Sequence, residues 1–288
     1  MNELLLIITA ALWGFAFVAQ RKGMESLDAF SFNAMRFALG AVVVRLALFR
    51  SFKGQKKIVW QLGVVLFFAA AFQQVGIIYT TAGAAGFITG LYVLFVPIFG
   101  LWRGQKLELK TAVAIALSLG GLYLINSGAA LQTSFGNLLV FISAIFFALH
   151  MQLVDKYSKI YPAGVLAFSQ FTVASSLSVV AAILQRLILG GVAFSDFLIA
   201  SRQALIPVLY GGIFSAGIAY TLQIKAQQKA APSAAAVIMC LEGVFAMIGG
   251  ALLLSEKVSL QALGGAFLLL AAMILVSFQR NMLTKKPT

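Results

Sequence analysis

The chain has 288 residues, of which 61% are hydrophobic and only 10% are charged. A soluble domain carries about a quarter charged residues, so this composition excludes an ordinary water-soluble protein and favours one that lies in a lipid bilayer. The net charge of +13 does not indicate a nucleic-acid partner, because the basic residues lie in short gaps between apolar runs. The single cysteine, Cys240, excludes an intrachain disulfide.

Apolar runs long enough to cross a bilayer follow one another along the whole chain, since a membrane helix needs roughly 20 residues. The first run lacks the basic leader of a signal peptide and is interpreted as a retained helix. Two of the runs are long enough for two helices each, with turns near residues 80–83 and 126–136. The runs are residues 4–20, 30–49, 58–102, 111–154, 160–185, 203–224, 230–255 and 258–279. They predict an all-α integral membrane protein with ten transmembrane helices.

The lysine and arginine residues between the runs are unevenly distributed, which predicts the orientation of the chain. With the N-terminus inside, fifteen of the 21 lie in cytoplasmic segments and five in outer loops. The pattern therefore predicts that both termini are cytoplasmic. The cytoplasmic set is Arg45, Arg50, Lys53, Lys56, Lys57, Arg103, Lys106, Lys110, Lys156, Lys159, Lys225, Lys229, Arg280, Lys285 and Lys286; the outer set is Arg21, Lys22, Arg186, Arg202 and Lys257.

Weak internal similarity divides the chain into two halves. A shift of 134 positions aligns residues 8–10 with 142–144, and it places Arg36-Phe37 opposite Gln170-Phe171. Each half then holds five helices, so the second half enters the membrane with the opposite polarity. We predict two inverted repeats, residues 1–134 and 135–288, with a site at their interface, as is common in secondary transporters.

Five short segments resemble EamA-type members of the drug/metabolite transporter superfamily. They are residues 11–18 (ALWGFAFV), 32–37 (FNAMRF), 79–97 (beginning YTTAG and ending VP), 240–246 (CLEGVFA) and 254–258 (LSEKV). The resemblance implies a metabolite carrier whose cavity is built from predicted transmembrane spans 1, 3, 4, 6, 8 and 9, counted in chain order. Two positions depart from the family pattern: Gly243 stands where a proline is usual, and Gln105 where an acid is frequent.

Polar and aromatic residues within the apolar runs are the candidates for a substrate pathway, because polar groups at mid-membrane depth usually face a cavity or another helix. A shift of 146 positions places Gln74 opposite Tyr220. Either residue can line the pathway or make interhelical hydrogen bonds, and Gln73 can take the role of its neighbour. The predicted pathway residues are Trp13, Phe17, Gln73, Gln74, Tyr92, His150, Tyr220 and Gln223.

Two charged residues lie inside the apolar runs, and each has a structural and a functional interpretation. Glu242 falls near the membrane midplane, where a charge is costly, so it should be protonated, paired or hydrated. It is either a structural acid or a group whose protonation is coupled to transport. Arg36 lies closer to the outer face. It can satisfy backbone carbonyls or an acid, and the sequence does not establish whether it pairs with Glu242.

No enzyme, nucleotide-binding or metal-binding motif is visible, and no cofactor is expected. The favoured interpretation is a secondary-active exporter or exchanger of a small metabolite, such as an amino acid, in the bacterial inner membrane. A proton is the expected coupling ion if Glu242 titrates. A channel-like pore and a membrane-embedded enzyme or scaffold are the alternatives, and the sequence leaves the substrate and the oligomeric state open.

Overall fold

The computed structural model describes residues 2–48, 59–80, 82–126, 135–189, 194–254 and 258–283. These ranges form helices and contain no strand. The helices are α1 (Asn2–Gly23), α2 (Ala29–Ala47), α3 (Trp60–Ile78), α4 (Ala82–Gly90), α5 (Tyr92–Trp102), α6 (Leu109–Asn126), α7 (Phe135–Ser158), α8 (Ala163–Leu189), α9 (Phe194–Gln203), α10 (Leu205–Leu209), a π-helical segment (Tyr210–Tyr220), α11 (Thr221–Gln227), α12 (Pro232–Met239), α13 (Glu242–Leu254) and α14 (Leu260–Leu283).

Nine segments within the described ranges are long and apolar enough to cross a bilayer. Six of them are single helices, and three combine shorter helices: α4 with α5, α10 with the π-helical segment and α11, and α12 with α13. The predicted fifth span corresponds to a shorter apolar helix, Leu109–Ile125. The all-helical membrane architecture is therefore confirmed. The described residues do not include the predicted loop at 50–57, most of the predicted turn at 126–136, Thr81 in the turn at 80–83, residues 255–257 or the end of the tail at 284–288.

One predicted outer loop, around Arg186 and Arg202, is largely helical. Helix α8 continues to Leu189, and α9 follows after a short gap in the described chain. Asp196 lies in the first turn of α9 and Arg202 in its last turn, which complements the helix dipole at both ends. Its apolar side faces α2, because Phe197 and Ala200 pack against a small core that contains Phe32.

Close contacts between helix backbones hold the bundle together. Helices α6 and α14 pack along each other, as do α3 with α7, α2 with α8, and α1 with α13. Small residues permit the approach, as in many membrane helix pairs. At Gly265 a Cβ atom would lie 2.5 Å from the carbonyl oxygen of Gly121, and at Gly121 it would lie 2.7 Å from that of Gly265. The α6–α14 pair thus depends on glycine on both sides.

Neighbouring glycines in α14 provide a test of this packing. Gly265→Ala should lower the melting temperature of the detergent-solubilised protein, because the new methyl group meets backbone atoms of α6 that cannot rotate away. Gly264→Ala is the matched control: its Cβ meets nothing within 4 Å, and alanine has the higher helix propensity. Equal melting temperatures for the two variants, measured by fluorescence-detected size-exclusion chromatography, would contradict this account.

Candidate functional site

Two interrupted helices meet in the interior of the bundle. The chain turns at Leu91 between α4 and α5, and at Cys240 and Leu241 between α12 and α13. Tight backbone bonds close both turns, such as Leu94 N–H to Leu91 O at 3.0 Å and Gly243 N–H to Cys240 O at 3.1 Å. The Cys240 thiol lies 3.7 Å from the Gly90 carbonyl oxygen, so the two interruptions are in contact.

Each interruption positions one candidate residue at the start of the following helix. Tyr92 is the first residue of α5, and Glu242 is the first residue of α13. The Glu242 carboxyl lies beside the Tyr92 hydroxyl and the Cys240 thiol. The two helices therefore bring a phenol and a carboxyl group, far apart in sequence, to one point in the membrane interior.

The π-helical segment shapes the opposite wall. A π-helix has wider turns than an α-helix, and such segments occur frequently at functional sites. Three polar contacts join this segment to α1: Trp13 Nε1 donates to Ser215 O at 3.3 Å and the Tyr210 hydroxyl to Leu12 O at 2.9 Å. The Thr9 hydroxyl lies 3.2 Å from Ala219 O and shares its hydrogen with Leu5 O at 2.8 Å. They fix Trp13 and Ser215 at the surface of one cavity.

The cavity lies between both halves of the chain. Its lining comes from predicted spans 1, 3, 4, 6, 8 and 9, the set that the family resemblance implies, and from α2, which contributes Arg36. In the structure these spans are α1, α3, α4 with α5, α7, the π-helical segment with α11, and α12 with α13. The lining residues are Trp13, Phe17, Gln20, Arg36, Gln73, Thr89, Tyr92, Phe147, His150, Met151, Ser215, Tyr220, Gln223, Met239 and Glu242. The volume of the cavity is about 40 Å³. This is room for a few water molecules and too little for an amino acid.

Tyr220 is the centre of an aromatic wall. Its ring lies 4.7 Å from that of Trp13, 5.8 Å from that of His150 and 5.7 Å from that of Phe171, in each case edge to face. Edge-to-face packing of this kind holds rings in fixed orientations. The wall therefore offers a preformed apolar surface, with the polar Tyr220 hydroxyl within it.

Glu242 and Arg36 both line the cavity but do not form an ion pair with each other. Glu242 is 2% exposed, and its buried Oε1 atom makes no hydrogen bond. Arg36 donates from Nε to Asn33 Oδ1 at 2.9 Å, and its guanidinium carbon lies 4.6 Å from the centre of the Phe37 ring. Within the described part of the chain, the cavity thus has an acid without a charged partner and, at a separate point, a cation held by an amide and an aromatic ring.

The structure separates the two neighbouring glutamines of α3. Gln73 lines the cavity and donates to the Thr89 hydroxyl at 2.9 Å. Gln74 does not line it; its Nε2 atom faces Gln20 O at 3.5 Å. Consecutive helical residues point about 100° apart, so only one of the pair can face the cavity. Gln73 and Tyr220 thus both line the cavity, and Gln74 makes the interhelical contact that is the second of its two predicted roles.

The remaining predicted residues, Trp13, Phe17, Tyr92, His150 and Gln223, all line the cavity. His150 Nε2 lies 2.8 Å from Gln170 Oε1. Among the residues that sequence reasoning missed are Gln20, Thr89, Ser215 and Met239. Threonine and serine give little signal because their hydroxyls are common in membrane helices, and Gln20 was assigned to the end of a span.

A thin barrier separates this cavity from a larger vestibule. The vestibule has a volume of about 450 Å³, and its lining includes Asp155, Gln227 and Lys229. Met151 and Gln223 line the central cavity, and each lies four residues, or about one helical turn, before a vestibule residue. Gln227 Nε2 donates to Met151 O at 3.3 Å across the barrier.

A polar network reinforces the barrier between α5 and α7. Arg103 donates from Nη1 to the backbone oxygen of Gln152 at 2.6 Å and to its Oε1 at 2.7 Å. Gln105 donates to Asp155 at 3.2 Å. Asp155, whose side chain is 3% exposed, also pairs with Lys159 at 2.8 Å. The network links residues from both halves of the chain, and three of its members, Gln105, Asp155 and Lys159, line the vestibule.

Within the described ranges, no cluster of three or more histidine, cysteine, aspartate or glutamate residues could hold a metal ion. The cavity therefore offers hydrogen bonding, aromatic surface and one carboxyl group.

Comparison with known proteins agrees with this geometry. The sequence model of the EamA-like transporter family matches residues 1–127 and again residues 134–278. An uncharacterized transporter of Archaeoglobus fulgidus is 30% identical over 280 residues, covering 96% of this chain and 86% of the relative. A second uncharacterized transporter of that organism is 28% identical over 170 residues, 54% of this chain and 57% of the relative. A solved structure titled only as the crystal structure of a protein matches with a TM-score of 0.72 at 19% identity, covering 98% of both chains.

Thiol labelling should detect the barrier. With Cys240 replaced by alanine, a water-soluble maleimide should modify Gln228→Cys, in the vestibule, faster than Gln223→Cys, in the central cavity. Asp155→Asn should accelerate labelling at position 223, because it weakens the bonds to Gln105 and Lys159.

Lys156→Gln is the control for the barrier experiment, since it removes an exposed charge from the same turn of α7 without touching the network. Labelling is measured by mass spectrometry. If position 223 is labelled as fast as position 228 in the protein that retains Asp155, no barrier exists.

Proposed function

Because the chain belongs to the EamA-like transporter family, we propose that this multi-pass membrane protein is a secondary-active carrier of a small metabolite. One observation carries the proposal: a central cavity, lined by both halves of the chain, is separated from an open vestibule by about one helical turn. The cavity is too small for a metabolite as it stands. Entry and release therefore require the surrounding helices to move. In the proposed mechanism, alternating access, these movements open the cavity to one side of the membrane at a time.

We further propose that the halves, residues 1–134 and 135–288, are inverted repeats and that the chain has ten spans. Thr9 and Ser143 are equivalent under the shift of 134 positions. Thr9 donates from α1 to Ala219 O in the π-helical segment, and Ser143 donates from α7 to Ala69 O in α3 at 2.7 Å. Each bond joins the first helix of one half to a helix of the other half, as an approximate twofold axis would produce.

A second equivalent pair supports this axis. Phe37 and Phe171 occupy matching positions, and their rings stack on each other at 6.0 Å with 11° between the planes. Equivalent residues meet each other where a twofold axis passes between them. The two separate family matches are consistent with the same division.

The proposed orientation places both termini and the vestibule on the cytoplasmic side of a prokaryotic cell membrane. This follows from the uneven lysine and arginine distribution. Labelling of Gln228→Cys from the cytoplasm and Ser195→Cys from outside would agree with it, and labelling of both from one side would exclude it.

The proposed substrate is a modest amphipathic solute such as an amino acid, which the protein exports or exchanges. The aromatic wall around Tyr220 suits an apolar portion, while Glu242, Arg36 and Gln73 can meet polar groups. A channel is less compatible with the closed network at Asp155. A hydrolase is less compatible with His150, whose ring is engaged by Gln170.

Counterflow in liposomes tests the function directly. Preloaded unlabelled substrate should accelerate uptake of the labelled solute, which a carrier shows and a channel does not. When a panel of amino acids and small metabolites is tested, at least one solute should show this accelerated uptake. Failure of every solute to show counterflow in intact, correctly folded protein would exclude this proposal.

Gln73 and Gln74 form a matched pair for the same assay. Gln73→Ala should weaken apparent substrate affinity several-fold with a near-normal melting temperature, because water can replace the amide at the cavity surface. Tyr220→Phe should act similarly. Gln74→Ala should alter stability more than affinity, since Gln74 is fully buried outside the cavity. Equal affinity in Gln73→Ala and the unmodified protein would exclude Gln73 from the pathway.

Glu242→Gln tests proton coupling. The substitution keeps the shape and hydrogen-bonding capacity of the side chain but removes its titration. We expect retained substrate binding and counterflow, together with loss of the pH dependence of net transport. An unchanged pH profile would show that Glu242 is a structural acid, and loss of folding would be detected separately by size-exclusion chromatography.

A further inference from the structure

A groove lies on the lipid-facing side of the bundle, away from the central cavity. One face of α2 and one face of α8 form its two sides, and Phe197 of α9 closes one end. We refer to it as the α2–α8 groove. It is lined by Ser31, Ala34, Met35, Ala38, Ser175, Val179, Ala182, Ile183, Arg186 and Phe197. Its volume is about 300 Å³.

The groove has a small-residue floor and apolar sides. Ala34 and Ala182 lie at the bottom and are less than 10% exposed, whereas Val179 and Ile183 are about half exposed along the rim. The Ser175 hydroxyl donates to Ala34 O at 2.9 Å, so the polar group on the floor is already satisfied. An apolar chain can therefore lie in the groove without burying an unpaired polar atom.

The length of the groove matches one leaflet of a bilayer. From Ser175 to Arg186 the side formed by α8 spans eleven residues, or about 16 Å at the α-helical rise. Half of the hydrocarbon core is about 15 Å thick. Arg186 lies near the end of α8, so the groove extends from the membrane interface to about the midplane.

The interfacial end of the groove carries a cation with weak partners. Arg186 Nη2 lies 3.4 Å from the Ser31 hydroxyl and 3.9 Å from Asp28 Oδ2, both long contacts. Its guanidinium carbon stacks over the Phe197 ring at 4.3 Å, which fixes the side chain at the mouth of the groove. A planar guanidinium with free N–H donors suits a phosphate group.

From these observations we propose that the α2–α8 groove binds a bilayer phospholipid. One acyl chain occupies the apolar groove, and the phosphodiester receives hydrogen bonds from Arg186. Helix α9, whose apolar side packs on α2, covers the interfacial end. The proposal depends on membrane insertion and not on the transport activity.

The test measures lipid retained by the purified, detergent-solubilised protein after titration with phosphatidylglycerol, by native mass spectrometry. We expect one lipid per chain to survive dissociation, and to be retained better than diacylglycerol, which has the same chains without phosphate. Glycerol phosphate, which has no chains, should not bind. Equal retention of phosphatidylglycerol and diacylglycerol would overturn the role of Arg186.

Two variants, each with a matched control, locate the site. Arg186→Gln should reduce retention several-fold, whereas Arg202→Gln, which removes an exposed charge from nearby α9, should not. Ala38→Phe should fill the inner end of the groove and displace the chain. Val42→Phe, one turn further along α2 and outside the groove, should leave retention unchanged.

The result of Ala38→Phe decides the location even if Arg186→Gln disturbs folding. Retention that is unchanged in Ala38→Phe, or reduced equally in Val42→Phe, would show that the lipid binds elsewhere.

Discussion

The architecture depends on one constraint: backbone polar groups cannot be left unpaired in lipid, so an interrupted membrane helix must be enclosed by other helices. Two helices are interrupted here, at Leu91 and at Cys240–Leu241; Cys240 and Leu241 are buried, and Leu91 is partly buried against the same core. Their enclosure places Tyr92 and Glu242 together at the centre of the bundle. The helices around this point present polar side chains to the buried carboxyl, among them Gln73, His150 and Gln223.

The barrier between the central cavity and the vestibule is thin. The central cavity and the vestibule are one helical turn apart on both α7 and α11, and the bond from Gln227 to the Met151 carbonyl joins the two helices there. A small displacement of α5 against α7 would break the bonds from Arg103 to Gln152. Bistable contacts of this kind convert small shifts into discrete states.

The sequence indicates how deep in the membrane a polar residue lies better than it indicates which neighbouring helix its side chain faces. An acid within an apolar run predicted the central position of Glu242, and apolar length predicted the helical architecture. The choice between Gln73 and Gln74 required knowledge of the neighbours of α3, which a single sequence does not provide. The turn at Leu91 and the π-helical segment carry no proline at the point where they begin, so the sequence does not distinguish them from a continuous α-helix. Helix α9 lies in a predicted loop because its apolar face is too short to give a clear signal.

The central claim is that the barrier at the vestibule opens and closes. Pulsed electron paramagnetic resonance measures this most directly. Spin labels are placed at Lys106→Cys and Lys229→Cys in a Cys240→Ala background, and both positions are exposed residues of the vestibule lining. The account predicts two distance populations whose ratio shifts when a transported solute is added, because a ligand favours the state that binds it better. A single population that no transported solute changes would contradict it.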